Sequence, residues 1–466
     1  MTIPCPIAAA SVSDPDRPAV VSASEILTYS ELDRRINAAI AGIKRRGVGP
    51  GDRVGIRLAS GLNTPVILWA LFRLRSIAVL LSDRDPDRNI RDNYSATGCR
   101  LLITDVPGPE SVPTASPSGL CTDPTDVRLE TATDLDLDSN ATIVFTSGSE
   151  GRPKAVVHTL ANHWFNARGS QTAIPVSPDT RWAVVLPTHH VGGLSIFFRC
   201  FLFGGAVVLV DREDRRPSEL AAHGVTHVSM VPTQLIDWLA RADCALLTKL
   251  DTILVGGAAT PSRIRRQAVE TGLPVRFTYG STEMASQIAT TERGELDFTA
   301  GYAGHVLPYR KVRIENGEIL VGGETRFAGY WSNGGLKRPF DDEGWFATGD
   351  IGRLDGDRLI VTGRRDSRFI SGGENVYPEE IEEAIVSAGL AEAAIVLSVD
   401  DERFGTRPIA YVRPLCSAEV LRAGLAGLLP SFKIPDQVRL LPEGMAGSKS
   451  DRRRLITLTG EPSSRT

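Results

Sequence analysis

Residues 146–154 read Thr-Ser-Gly-Ser-Glu-Gly-Arg-Pro-Lys and follow directly on an apolar, strand-like run from Ala141 to Phe145. A loop of glycines, hydroxyls and one lysine at the end of a strand is suited to holding phosphate. Glycines let backbone amides approach the oxygens, hydroxyls donate, and the lysine adds charge. It is not the Walker loop, which needs four residues between its first glycine and a Gly-Lys pair. Gly148 and Gly151 are too close together, and Lys154 follows Pro153. A loop of this composition also serves as an ordinary surface turn, so its reading depends on the rest of the chain.

The chain has 466 residues, more than one hydrophobic core usually supports, and two or more domains are expected. Net charge is −4, from 52 basic and 56 acidic residues, which gives no basis for binding nucleic acid or an anionic membrane. Six scattered cysteines form no Cys-x-x-Cys pair, and no histidine cluster completes a zinc set. Free thiols in a reducing, cytoplasmic setting are expected. Met1 to Asp14 lacks the pattern of an export signal. Val191 to Val210 is apolar and long enough to cross a bilayer. Arg199 in its middle would cost about 2.5–3.5 kcal/mol there, and Gly192, Gly193, Gly204 and Gly205 interrupt it. The pattern predicts a buried helix, a turn and a strand over Ala206–Val210, with no membrane span.

Apolar spacing predicts an amphipathic helix over 30–47, with Leu32, Ile36, Ala39, Ile40 and Ile43 on one face, Ser30 and Asp33 as a capping pair, and Gly47 as the stop. Pro107 to Asn140 reads as loop with little core. Short buried strands then alternate with helical stretches: Trp182–Leu186, Ala206–Val210, His227–Val231, Thr252–Val255 and Val275–Tyr279. Such alternation predicts an α/β fold, a parallel sheet covered by helices. Beyond Val361 the texture changes, with a helix over Pro378–Ser387 and three further strands, enough for a small α+β domain.

Other motifs carry chemistry. Tyr279-Gly280-Ser281-Thr282-Glu283 ends a strand-like run; a hydroxyl beside a carboxylate there can bind a phosphate oxygen and its Mg²⁺ together. In water, the same residues make a plain turn. Gly256-Gly257-Ala258-Ala259 allows a flat ring to lie on backbone, or close helix packing. Asp350 of Thr348-Gly349-Asp350 can hold a ribose diol, although such a triplet is also a common turn. His189 and His190 follow a buried strand and are more ordinarily structural. Arg199, inside the apolar run, needs an anionic or multiply accepting partner, either an internal carboxylate or one on a substrate.

The order and spacing of these motifs, with Gly363-Arg364-Arg365-Asp366, Gly372 to Glu382 and Lys449, resemble the adenylate-forming superfamily of acyl-CoA synthetases, peptide-synthetase adenylation domains and luciferases. The match runs from about Thr28 to about Leu455, nearly the whole chain. Within that superfamily the chain is most similar to the o-succinylbenzoate–CoA ligases of menaquinone and phylloquinone synthesis. The residues that carry this are Pro153 to Thr159, His190-Val191-x-Gly193, Val231 to Leu235, Gly256 to Ala259 and Phe369-x-Ser371-Gly372-Gly373-Glu374.

The resemblance implies a large N-terminal domain over 1–363, a small mobile C-terminal domain over 364–466, and a hinge near Asp366. It implies ATP, Mg²⁺ and coenzyme A as cofactors, and a small carboxylic acid as partner, with a homo-oligomer left open. Thr146, Ser147, Gly148, Ser149, Gly151 and Lys154 would hold the β- and γ-phosphates. Thr282 would touch the α-phosphate and Glu283 the Mg²⁺. Gly256, Gly257, Ala258, Tyr279, Gly280 and Ser281 would line the nucleotide, with Gly257 also beside the acid. Asp350 and Arg364 would hold the ribose. Lys449 would bridge the α-phosphate and the attacking carboxylate. Ser371, Gly372 and Gly373 would approach the pantetheine thiol. His190 would gate the acyl site, and Arg199 would recognise the substrate's carboxylate.

Three departures stand out. Glu150 replaces the usual hydroxyl residue, Lys449 follows Ser448 rather than glycine, and Ile370 lies where many relatives carry a basic residue. The alternatives are a ligase or carrier-loading enzyme for another aryl or medium-chain acid, and a non-catalytic nucleotide or acyl binder. Absence of repeats and heptads leaves a scaffold role unsupported.

Overall fold

The computed structural model describes residues 1–59, 61–121, 134–146, 153–210, 215–365, 367–371, 374–401, 404–445 and 449–459; the side chains of Asn375, Lys449 and Ser450 fall outside that description. Two large sheets dominate. The bigger has 13 strands with a parallel centre: Pro18–Val21, Ala206–Leu209, Arg181–Val184, His227–Met230, Thr252–Val255 and Val275–Ser281, side by side in that order. Antiparallel strands extend it, from Ser286–Thr290 through Tyr302–Val306, Arg358–Arg364, Phe346–Asp355 and Glu318–Gly322 to the edge strand Lys311–Glu315. In the second sheet Arg53–Arg57, Ile77–Leu80, Leu101–Thr104 and Asn140–Thr146 run parallel, and Lys154–Thr159 returns antiparallel along the last.

Helices Tyr29–Arg45, Asn63–Arg73, Leu160–Ala173 and Val191–Phe203 lie between the sheets. Leu32, Trp69 and Phe197 share one core with Val54 and Ile103 of the second sheet and Trp182 and Val207 of the first. Successive strand residues point to opposite faces. Val184 therefore joins that core, while Ala183 and Val185 pack with Leu235 and Ile264 of the helices Pro232–Leu239 and Ser262–Glu270 on the far side.

The predicted helix at 30–47 forms as Tyr29–Arg45 with a different cap. Thr28 accepts from the Glu31 N–H at 3.2 Å, and the Glu31 carboxylate accepts from the Thr28 N–H at 2.9 Å, a reciprocal capping box. Ser30 and Asp33 do not cap it, because Asp33 is engaged by Arg73 and by Asn37 at 3.0 Å. The expectation of a loop with little core over 107–140 is also corrected in part. Residues 122–133 are outside the described set, but Leu120, Leu135 and Leu137 are buried in the main core, and strand Asp134–Asp136 pairs with Thr2–Pro4. The apolar run folds as expected: helix Val191–Phe203, a turn at Gly204 with φ 78°, and strand Ala206–Leu209. Among the described residues no helix is long and apolar enough to cross a membrane.

Toward the C-terminus, strands Ala393–Asp401, Gly405–Arg413 and Gln437–Leu440 form a three-stranded sheet. One face packs Val396 and Val412 on Ile381 and Ile385 of helix Pro378–Ser387; the other packs Ile395 and Ile409 on Met445 and Leu455. The fold is therefore mixed α/β: a large lobe of layered sheets and helices followed by a small α+β lobe.

Candidate active site

Adjacent parallel strands deliver their C-terminal ends to one edge of the large sheet, the usual place for ligands in α/β folds. Val275–Ser281 ends there in Tyr279-Gly280-Ser281. A Cβ on Gly280 would lie 1.9 Å from the Ser286 carbonyl oxygen, because strand Ser286–Thr290 folds back against it. The Ser281 hydroxyl is buried, with no partner among the described residues. Beside it, Thr252–Val255 ends at Gly256, where a Cβ would press to 2.6 Å from Thr278 Cγ2, and at Gly257, whose φ of 86° favours glycine. Ala258 follows.

Asp350 meets this edge from strand Phe346–Asp355. The Tyr279 hydroxyl donates to its Oδ2 at 2.5 Å, and Arg364 Nη1 donates to its Oδ1 at 2.8 Å. Arg364 stands directly opposite Asp350 on the paired strand, so backbone register brings the two charges together. Burial, then the Asp350 charge, raises the Tyr279 phenol well above its ordinary pKa and keeps it a donor.

Thr282 and Glu283 follow in a short helical turn. The Tyr330 hydroxyl donates to Glu283 Oε1 at 2.8 Å, and Lys154 Nζ sits 5.2 Å from the centre of the Tyr330 ring. Lys154 pairs across the antiparallel ladder with Thr146, so both described ends of the glycine-rich loop stand together. Ser147, Gly148, Ser149 and Gly151, with Glu150 and Arg152, lie outside the described residues. Glu283 suits a hard divalent cation: a half-buried carboxylate oriented through one oxygen by a tyrosine.

A buried chain of neutral groups fixes Thr282. His158 Nε2 donates to the Thr282 carbonyl at 2.7 Å, Thr142 Oγ1 lies 3.2 Å from His158 Nδ1, and His163 Nε2 lies 2.8 Å from the same hydroxyl. One proton order satisfies all three: His163 donates to Thr142, Thr142 to His158, and His158 to Thr282. Burial pushes His158 down to about 4 and His163 well below the usual histidine range, so both stay neutral. Sequence reasoning missed this chain and Tyr330; two histidines four and nine positions after Lys154 were the available signal.

Arg199 is 1% exposed. Its Nη2 donates to Gln287 Oε1 at 2.7 Å, its guanidinium lies 5.3 Å from the Trp182 ring centre, and its Nε has no partner among the described residues. Arg310 reaches the same glutamine's carbonyl at 2.9 Å. Burial lowers Arg199 to about 10 and Arg310 to about 9, the latter also through repulsion from Arg199. Among the described residues no carboxylate pairs with either. The internal partner left open by the sequence is an amide.

His190 is exposed at the start of helix Val191–Phe203, its ring centre 4.4 Å from that of His189 with the two rings tilted by 55°; burial of part of the ring lowers its pKa while Asp85 opposes this. In the small lobe Ser371 is fully buried, and among the described residues its hydroxyl has no partner. Gly372, Gly373 and Asp366 are outside the described residues. Lys449 is the first residue of helix Lys449–Thr459. One turn on, Arg452 sits 2.9 Å from a Glu382 carboxylate oxygen and 3.4 Å from Glu379 Oε1, and donates to the Val396 carbonyl at 2.6 Å.

A Thr-Glu turn and a tyrosine- and arginine-flanked aspartate at the strand ends of an α/β sheet suit nucleotide handling, and the match of residues 7–331 to the family described as AMP-binding enzyme agrees. The chain belongs to that family. It is 31% identical, over 96% of its length and 97% of the relative's, to a 2-succinylbenzoate–CoA ligase of Bacillus cereus. It superposes with a TM-score of 0.86 over the full length of both chains on the o-succinylbenzoate CoA synthetase of Bacillus subtilis in complex with its acyl-adenylate intermediate, at 28% identity. On a double mutant of that synthetase bound with a product analogue, the score is 0.72 over 98% of both chains, again at 28% identity.

Proposed function

We propose that this chain is an ATP-dependent acid–thiol ligase. A carboxylic acid and ATP give an acyl-adenylate and pyrophosphate; the thiol of coenzyme A then attacks the acyl carbon, releasing AMP and a thioester. The proposed acid is o-succinylbenzoate, which places the reaction in menaquinone or phylloquinone formation in the cytoplasm. The observation that carries this reading is Asp350 held on Tyr279 and, four residues beyond Tyr279, Glu283 held on Tyr330 beside Lys154, in a chain similar over 96% of its length to ligases of that name.

Asp350, oriented by Tyr279 and Arg364, is assigned the ribose hydroxyls. The Gly256–Ala258 floor and the Tyr279–Ser281 strand end take the adenosine. Thr282, held through its carbonyl by His158, takes the α-phosphate; Thr146, Ser147, Gly148, Ser149, Gly151 and Lys154 take the outer phosphates. Glu283 would hold Mg²⁺, which when bound offsets the repulsion between carboxylate and triphosphate. Lys449 stabilises charge that develops as those anions meet. His190 lies at the acyl site, and Ser371, Gly372 and Gly373 face the thiol. Arg199, on neutral acceptors, is assigned the substrate's second carboxylate, directly or through water. We place the division between lobes at 363/364 with a hinge near Asp366.

The test is AMP release with o-succinylbenzoate, benzoate and a fatty acid, with and without coenzyme A. Release with o-succinylbenzoate alone supports the reading. Release with benzoate or the fatty acid instead moves the chain to another acid, and release without dependence on any acid removes the ligase reading.

A further inference from the structure

Helix Ser262–Glu270 starts without a cap of its own: its N-cap is Pro261, which offers no side-chain acceptor. Such a start leaves N–H groups unpaired. The acceptor comes from the small lobe. Glu383 Oε1, on helix Pro378–Ser387, accepts from the Ser262 N–H at 2.7 Å and from its hydroxyl at 2.6 Å. The Ser387 hydroxyl donates to the same oxygen at 2.9 Å. Both partners are half-buried. A carboxylate 121 residues away thus does what a local serine or aspartate does elsewhere, and it faces the positive end of the helix.

We propose that Glu383 is a positioning residue: a helix cap supplied by the small lobe that holds this lobe in the orientation in which the acyl-adenylate forms. The proposal rests on the two-step reading above. The capped helix follows the Gly256–Ala259 turn, assigned to the adenosine, after only Thr260 and Pro261. The capping helix also carries Glu379 and Glu382, which grip Arg452 one turn from Lys449. Fixing helix Pro378–Ser387 on the large lobe therefore fixes the base of the lysine-bearing helix. The chain also superposes better on the acyl-adenylate complex than on the product-analogue complex.

Glu383→Ala and Ser262→Pro remove the contact from opposite sides. Proline is favoured in the first helical turn, and the extended Pro261, ψ 139°, suits a following proline, so the helix survives. Adenylation is read by pyrophosphate exchange, and the second step by thioester formation from preformed acyl-adenylate. Exposure of the connection is read by trypsin cleavage after Arg364, Arg365 and Arg368. A cap of this strength is worth about a factor of ten in an equilibrium. Each variant is expected to lower adenylation about tenfold, leave the thioester step within about twofold and speed cleavage about tenfold, with the double variant close to either single one. Equal losses in both steps, a loss confined to the thioester step, or unchanged cleavage each overturn it. Cleavage needs no substrate, so a wild-type chain that makes no AMP ends the ligase reading while the latch is still judged by trypsin.

Discussion

Two arginines, one in each lobe, Arg199 buried and Arg452 half-buried, are held in opposite ways. Arg452 in the small lobe finds Glu382 and Glu379 within 3.4 Å. Arg199 in the large lobe finds the Gln287 amide and the face of Trp182, and Arg310 beside it likewise finds carbonyl oxygens. A charge cancelled inside the fold belongs to the scaffold. A charge left on neutral acceptors in a dry interior is costly to keep, and it retains its attraction for an anion that enters. The difference separates an arginine that builds the lobe from one suited to read a substrate.

The largest expected effect tests the scaffold side. Arg452→Met strands Glu382 and Glu379 without their cation and should cost about 3–5 kcal/mol in denaturant unfolding; a loss below about 1 kcal/mol would mean the cluster is no scaffold. Next comes the neighbouring lysine, which is assigned to chemistry. Lys449→Ala should lower adenylation roughly 10²–10³-fold with no loss of stability, while preformed adenylate still gives thioester. If both steps fall equally, the role given to Lys449 is wrong.

Arg199→Met sharpens the other side. Losing a charge-assisted contact to a substrate carboxylate should lower kcat/KM for o-succinylbenzoate roughly 10–100-fold. The unfolding midpoint should not fall, since no internal carboxylate is stranded. A fall in stability as large as that of Arg452→Met would erase the contrast.

The smallest effect is in pH. Glu382 is pushed up to about 7 by burial, which Arg452 only partly offsets. Its folded value lies above its ordinary 4.5, so its contribution to stability is full below about 4.5 and is lost as pH rises through about 7. His158 runs the other way. Its folded value of about 4 lies below its ordinary 6.5, so its contribution is full above that value and is lost as pH falls toward 4. Glu382→Gln should flatten the alkaline side of the stability profile, and His158→Gln the acid side, each by about 1–2 kcal/mol. Both slopes moving in one direction would contradict the neutral-against-charged description of the two lobes.

Much of this was legible beforehand because local chemistry fixes it. The helix at Pro378–Ser387 formed with its predicted ends, since Pro378, two glutamates in the first turn and an apolar stripe agree. The parallel strands appeared within one or two residues of their expected ends. The cap of the first long helix was misplaced by two residues because Ser30 and Asp33 satisfy the same local pattern as Thr28 and Glu31; Arg73, 40 residues away, claims Asp33. Thr142 lies inside the apolar strand-like run and nothing local marks a role for His158 or His163; Thr282, 124 residues from His158, gives them a task.

Taken alone, the order of glycines, hydroxyls, carboxylates and lysine determined the family and the reaction class, because phosphate and magnesium chemistry demand those groups in short contiguous motifs. Which charges are cancelled, which histidines stay neutral and which carboxylate caps which helix were decided only in three dimensions. Those properties depend on burial and on partners far apart in the chain, and neither is written in local spacing.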